Sequence, residues 1–290
     1  MNTIRLIFLY GIISFLVSCQ NEKISNEVME VGKNPTKEQL EKLFDVGFNI
    51  ENVTIEKLSL PDGSTTDHFV NGTDIVISVN GLDNLESLES FDNQTKQYRT
   101  ENLVDTRRHK TIDVFGHIGD FGNLGLTPKM QTALKKAVAN YNNLNSSITM
   151  TLRFGQDSFS DPKPDIVVSK TNLYGSGGLA GFPSRNGDPY KWVQIGQDAD
   201  NFSIGYNTLV LTHELGHCLG LRHTDYFARV CNGVNEGETF DGAIHIPGTP
   251  TDIDITSIMI SCPVPGTDPN SYTGDFNNND KKALEYMYPL

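Results

Sequence analysis

Leu211-Thr212-His213-Glu214-Leu215-Gly216-His217-Cys218-Leu219-Gly220-Leu221-Arg222-His223 reads H-E-x-x-H-x-x-G-x-x-H. On a helix, His213 and His217 lie four residues apart and project from one face. Two imidazoles so placed can share one tetrahedral Zn²⁺. Glu214, offset by one residue, stands beside the ion, where a carboxylate can take a proton from water. Gly220 can adopt a positive φ, end the helix and turn the chain back, which brings His223 round as a third nitrogen ligand. Three protein ligands leave a fourth position open, the mark of a catalytic site rather than a structural one. Leu211, Leu215 and Cys218 form an apolar face opposite the histidines, as in any amphipathic core helix. Core packing, however, accounts for neither His223 nor Gly220. Five fixed positions of this kind co-occur by chance about once in 10⁵ chains of this length.

The elongated motif resembles that of the metzincin clan of zinc endopeptidases. His213 to His217, followed by Leu221-Arg222-His223-Thr224-Asp225, is similar to the dual-action HEIGH metallopeptidases, a bacterial secreted family, with Leu215 where the name has Ile. The similarity runs from about Tyr98 to the C-terminus and is strongest between Gly178 and Cys262. It implies an α+β fold of metzincin-like zincin type: a twisted mixed sheet with an antiparallel edge strand, long helices behind it, an active-site helix, a Met-turn and a C-terminal helix. It also implies an endopeptidase that hydrolyses peptide bonds of extended protein substrates through a zinc-activated water, with Glu214 as general base. One catalytic Zn²⁺ would be held by His213, His217 and His223. Leu179, Ala180, Gly181 and Phe182 look like the clan's edge strand, which takes extended peptide by strand addition. Ser257-Ile258-Met259 resembles the Met-turn, with Met259 as an apolar floor 36 residues after His223. Some metzincins carry a Tyr near the metal two residues beyond that Met. Ser261 stands there in this chain, so a tyrosine ligand is in doubt.

Length allows one sizeable domain and a smaller region in the 290 residues. The net charge of −13 argues against nucleic acid and anionic membrane surfaces as partners. Arg5 and the apolar run Leu6 to Val17 read as a signal sequence, too short to span a bilayer. Leu16-Val17-Ser18-Cys19 resembles a bacterial lipobox, which implies cleavage before Cys19 and a lipid on its thiol. The competing reading is an ordinary signal peptide with a chance Cys. Gln20 follows, with no Asp to suggest inner-membrane retention. The expected organisation is a lipoprotein signal peptide at 1–18, a tether and propeptide candidate at 19–107, and a zinc peptidase domain at 108–290. The protein is expected to be an exported monomer on the outer membrane or cell surface, extracellular if released. A spacer that lifts the domain off the membrane competes equally with a propeptide. The familiar device of a propeptide cysteine on the zinc is unavailable, because no Cys lies between Cys19 and Cys218.

The coarse pattern predicts a helix from Thr36 to Phe48 with Leu40, Leu43 and Phe44 on one face, and a turn then a strand over Phe69 to Val79. It predicts strands at Thr111 to Phe115, Ser147 to Phe154, Asp165 to Ser169 and Lys191 to Ile195. Helices are expected from Pro128, capped by Thr127, from about Ser203 to Leu219, and from about Asn279 to Tyr288. Cys231 and Cys262 border the loop-rich segment after His223 and would be oxidised outside the cytoplasm. Sequence leaves their partner open, with Cys218 as a rival. Asp225 reads as a second-shell carboxylate or a salt-bridge partner, and His245 as an ordinary structural His. The acidic stretches 252–254 and 275–280 are weak Ca²⁺ candidates without EF-hand spacing; caps and solvated loops are the default. Two other classes compete with the enzyme. A non-catalytic surface protein of this fold would be expected to lose the base or a ligand. A structural zinc module would have no open position beside a Glu.

Overall fold

In the computed structural model the described residues are 33–45, 48–72, 74–84, 97–158, 162–173, 175–237, 242–250 and 252–290. The expected signal peptide, Cys19 and most of the polar tether lie outside them. Among the described residues no helix is long and apolar enough to cross a membrane.

The five-stranded sheet carries the site. It is built from β5 (Ile112–His117), β6 (Met150–Gly155), β7 (Ile166–Lys170), β8 (Gly178–Leu179) and β9 (Trp192–Ile195), in the order β6-β5-β7-β9-β8. The first four strands in that order are mutually parallel, and β8 runs antiparallel to β9 at the edge. Parallel strands need long connections, and α2 (Pro128–Asn142) supplies the one between β5 and β6. Thr127 caps it: its hydroxyl accepts from Met130 N, with Pro128 in the first turn, where a missing N–H costs nothing. β7 is buried at every position and β5 at nearly every one, as strands covered on both faces must be. Helix α3 (Ile204–Cys218) packs on α2, and α4 (Asn278–Met287) closes the C-terminus. One apolar core joins these parts, from Val104 and Ile112 through Leu134, Leu211 and Leu215 to Leu284. The chain is therefore a mixed α+β protein with four α-helices among its described residues.

A second, smaller layer precedes this sheet. Helix α1 (Lys37–Asp45) and the antiparallel strands β1 (Thr54–Ser59), β2 (Thr65–Val70) and β3 (Ile77–Ser78) enclose a separate apolar cluster, with Leu43, Phe48, Val53, Ile55 and Phe69 buried. Thr36 and Gln39 cap α1 reciprocally, N–H to side chain in both directions. One detail departs from the helical pattern: Phe44 does not join Leu43 on the inner face but is 68% exposed. Phe48, after the helix, takes the inner position instead. The strand expected up to Val79 is short as well, because residues 74–76 leave β2 and cross to the large sheet before β3 begins.

The edge strand also differs from expectation. Its antiparallel pairing covers Gly178 and Leu179 only. Ala180 instead bridges Ile75 in parallel, while Gly181 packs on the Tyr190 ring and Phe182 lies beside His217. Pro183, which has no N–H to offer, follows directly.

Strand β4 (Tyr98–Arg99) pairs with β10 (Ile244–His245), and Arg99 also bridges Leu221 just past the zinc-motif helix. Cys231 and Cys262 form a disulfide, and Cys218 is a buried free thiol. The Asp254 and Asp280 carboxylates of the acidic stretches accept from Asn277, Asn279, Thr256, Ser257 and Ile258. Asp280 closes a capping box with Asn277 at the start of α4.

The C-terminal helix is tied to the end of α3 by one hydroxyl. Tyr288 OH donates to Leu219 O and accepts from Val104 N. Tyr288→Phe strands a buried carbonyl and a buried N–H, so it is expected to cost about 1–3 kcal/mol. Urea unfolding of the two proteins, followed by circular dichroism, measures the difference.

Candidate metal centre

Ser203 starts α3 by accepting from Tyr206 N, and the helix then runs through the core, buried at nearly every position from Tyr206 on. It ends where Gly220 takes φ +94°, a conformation that favours glycine. Gly220 N donates to His217 O and Leu221 N to Gly216 O, the pair of bonds of a Schellman cap. The reversed chain then pairs with Tyr98–Thr100: Arg222 N donates to Tyr98 O and Thr100 N to Gly220 O. This fixes the direction in which residue 223 leaves. Arg222, fully buried, donates to Gly237 O and Gly242 O and lies over the Tyr226 ring.

The three histidines meet. Their Nε2 atoms stand 3.0, 3.0 and 3.1 Å apart. Each Nδ1 faces a fixed acceptor: Ile258 O at 2.7 Å for His213, Leu221 O at 2.8 Å for His217, and the Glu236 carboxylate at 2.7 Å for His223. Each Nδ1 is thus engaged behind its ring, and the three Nε2 atoms face one another. A tetrahedral ion with metal–nitrogen bonds of about 2.0–2.1 Å spaces its nitrogens about 3.3 Å apart, so the group fits a divalent cation. Burial and the charges of the other two imidazoles hold His217 well below the usual histidine range. Burial also lowers His223, but the charges of Asp74 and Glu236 outweigh it and raise that group well above its usual range. The cluster thus calls for positive charge at its centre.

Asp74 is the fourth member. Its Oδ2 lies 3.1 Å from His223 Nε2 and 3.2 Å from His213 Nε2. These four residues are the one group among those described whose His, Cys, Asp or Glu donors could hold a metal. Glu214 is buried beside them, and its Oε2 has no hydrogen-bond partner. Burial pushes its carboxyl well up, and the Asp74 charge pushes it further. Glu214 packs so closely on Gly178 that a Cβ there would come within 2.4 Å of its Oε1. A cavity of about 70 Å³ opens next to Glu214, lined mainly by apolar groups, among them Leu209, Val210, Ile258, Ile260 and Pro263.

Met259 is buried against Gly216, where a Cβ would meet its sulfur at 2.7 Å. Two buried carboxylates grip its turn. Asp280 accepts from Ser257 Oγ and Ile258 N, and Asp225 from Ser261 N and Oγ. Asp225 thus braces the turn, and also accepts from Val230 N. His245 lies in β10 and shares a contact with Thr249. Sequence reasoning singled out neither Glu236 nor Asp74. Glu236 lies in a loop without motif, and Asp74 lies 139 residues before His213. Glu236 also pairs with Arg229, whose guanidinium donates to Gly72 O.

The family model described as dual-action HEIGH metallo-peptidase matches residues 69–288. The match starts upstream of Tyr98 and so takes in Asp74. No curated protein matches. Among solved structures, one titled "Crystal structure of myroilysin" is similar at 17% identity and a TM-score of 0.38, covering 62% of this chain and 84% of that one. A second, "Structure of Myroilysin", gives 19% identity and 0.38 over 62% and 80%.

Glu236 holds the His223 ring and raises its basicity from outside the cluster. Glu236→Gln keeps an acceptor oxygen and loses the charge. It is expected to weaken divalent-ion affinity about 10–100-fold, measured by competition with a chelator of known affinity.

Proposed function

We propose, from the premise that this chain belongs to the dual-action HEIGH metallo-peptidase family, that it is a zinc-dependent endopeptidase of metzincin type acting on extended protein substrates. Family membership makes it a metallopeptidase, a hydrolase whose substrates are proteins or peptides. The observation that carries the finer reading is the convergence of three Nε2 lone pairs, each ring fixed through its Nδ1, with the Glu214 carboxyl buried beside them.

His213, His217 and His223 would hold Zn²⁺ through their Nε2 atoms. When bound, zinc supplies a Lewis acid that polarises the scissile carbonyl and lowers the pKa of a water towards about 7. Glu214 accepts the proton of that water at its carboxylate oxygen and delivers it to the departing amine nitrogen. Its burial raises its proton affinity, which suits a group that must hold a proton between two steps. Edge strand β8, with Leu179, offers backbone N–H and C=O groups to an extended peptide, and Ala180, Gly181 and Phe182 continue that wall. An apolar side chain flanking the scissile bond fits the cavity beside Glu214. Met259 supports the metal cluster from below. Supporting the enzyme over a binding-only relative, all three histidines and Glu214 are present.

The remaining organisation belongs to the same proposal. Residues 1–18 are a lipoprotein signal peptide and Cys19 carries lipid. Residues 19–107 form the tether and pro-region, and 108–290 the peptidase domain. The protein is a monomer on the outer membrane or cell surface, with no role for nucleic acid.

The two kinds of site residue are expected to fail differently. His217→Ala loses both zinc and peptide hydrolysis. Glu214→Gln keeps zinc and the fold but lowers turnover of a quenched peptide about 10²–10⁴-fold. Atomic spectroscopy and fluorescence read the two outcomes; a Glu214→Gln protein that binds zinc and matches wild-type turnover removes Glu214 from the mechanism. Metabolic labelling with a fatty acid is expected to mark wild type and not Cys19→Ala, and equal labelling of both would count against the lipid anchor.

A further inference from the structure

We propose that residues 74–76 are a built-in inhibitor of the metal site, with Asp74 supplying a fourth donor to an ion held by His213, His217 and His223. The proposal rests on the metallopeptidase reading of that site.

Four observations carry it. The first is position. Asp74 Oδ2 lies 3.1 and 3.2 Å from two of the histidine Nε2 atoms, and Oδ1 lies 3.9 Å from the third. The carboxylate thus stands among the three ring nitrogens, within hydrogen-bond distance of His223 Nε2. Four electron-pair donors at close to tetrahedral spacing are what a cation accounts for. Three of them come from one continuous motif and the fourth from a different layer of the molecule.

The second is what Asp74 displaces. It borders the same cavity as Glu214 and His213. The attacking water needs the fourth position on the ion and the neighbourhood of Glu214 together. A carboxylate in that position takes the place that a water would need beside Glu214.

The third is chain direction. Ala180 N donates to Asp74 O at 2.9 Å, and Val76 N donates to Ala180 O at 3.1 Å, so the inserted segment runs parallel to the edge. An extended substrate on this edge runs antiparallel. The segment therefore fills the cleft with its N-to-C polarity reversed, and occupies the site without presenting a peptide bond as a substrate does.

The fourth is attachment. The layer that carries Asp74 has its own apolar cluster around Leu43, Phe48, Ile55 and Phe69, distinct from the main core. Beyond the Ala180 pair, it is held to the larger sheet and loops by Gln194 to Ser59 O, Asn172 to Lys57 O, Asn49 to Asn235 O and Arg229 to Gly72 O, and by a small space that Leu58, Leu60 and Val76 share with Leu179, Tyr190 and Trp192. Its departure would uncover that space but would leave the main cluster's buried residues, from Ile112 to Leu284, in place. Arg229 joins the inserted turn to Glu236, and through it to the His223 ring.

The test uses the full chain in three forms: wild type, Asp74→Ala and Asp74→Asn. Each is loaded with Co²⁺ and titrated with acetohydroxamate, a small anionic chelating ligand, with visible absorption as the readout. Asp74→Ala is expected to respond at concentrations lower than wild type needs by about tenfold or more, since an attached competitor acts at a high effective concentration. Asp74→Asn keeps the shape and loses the charge, so it should fall between them. It carries the test if Asp74→Ala does not fold. Peptide turnover by the Zn²⁺-loaded proteins should rise in the same order. Equal acetohydroxamate responses in the folded proteins, or no Co²⁺ uptake by any of them, would overturn the proposal. A selective acetohydroxamate response in Asp74→Ala with no peptide turnover would uphold the fourth donor and count against the peptidase reading instead.

Discussion

Three imidazole nitrogens stand 3.0–3.1 Å apart, and much of the structure exists to hold them there. Lone pairs at that distance repel, so the arrangement is stable only if each ring is fixed from behind and a cation sits in front. The three rear acceptors come from three different places. Leu221 O belongs to the reversed chain after Gly220, Ile258 O to the turn that carries Met259, and the Glu236 carboxylate to a separate loop. Each place is held in turn. Pairing with Tyr98–Thr100 fixes the first, Asp225 and Asp280 grip the second, and Arg229 holds the third. The buried Asp225 and Asp280 carboxylates accept from backbone and hydroxyl donors of that turn. They brace the backbone atoms that orient the rings.

That division decides what could be read from sequence. The motif from His213 to His223 was legible because helical spacing and one positive-φ glycine put the three rings within reach of one another, although Tyr98–Thr100, Ile258 and Glu236 then fix them. Thr127, Pro128, Ser203 and Asn277 are local signals too: a cap acts within three residues, and the helices begin where those signals stand. The strands of the large sheet were legible where they are buried and apolar. Glu236 and Asp74 were not legible, because neither belongs to a local pattern and each acts on a ring brought near only by the fold. Phe44 misled for the opposite reason. Its spacing from Leu40 is helical, but a nine-residue helix against a small sheet buries only a narrow stripe, and Leu43 with Phe48 fills it. Asp225 was legible as important and misread in role. Its proximity to His223 in sequence suggested the ring, while its carboxylate reaches the turn at Ser261.

The edge of the sheet shows how one surface can serve two opposite ends. A two-residue strand, β8, leaves the backbone beyond Leu179 open to whichever chain arrives. Backbone groups at an edge pair in either direction, parallel or antiparallel, at similar cost. Direction therefore becomes the discriminating variable: it decides which side chains face the metal and where the neighbouring carbonyls fall. In the parallel arrangement a carboxylate, not a peptide carbonyl, reaches the histidines. The anion also adds to the field at the cluster, since Asp74 and Glu236 together favour positive charge at His223 from both sides. The same carboxylate raises the proton affinity of Glu214, which a departing Asp74 would lower again. Occupancy of the edge, the charge at the metal and the state of the base are thus one coupled variable, set by where three residues of the N-terminal layer lie.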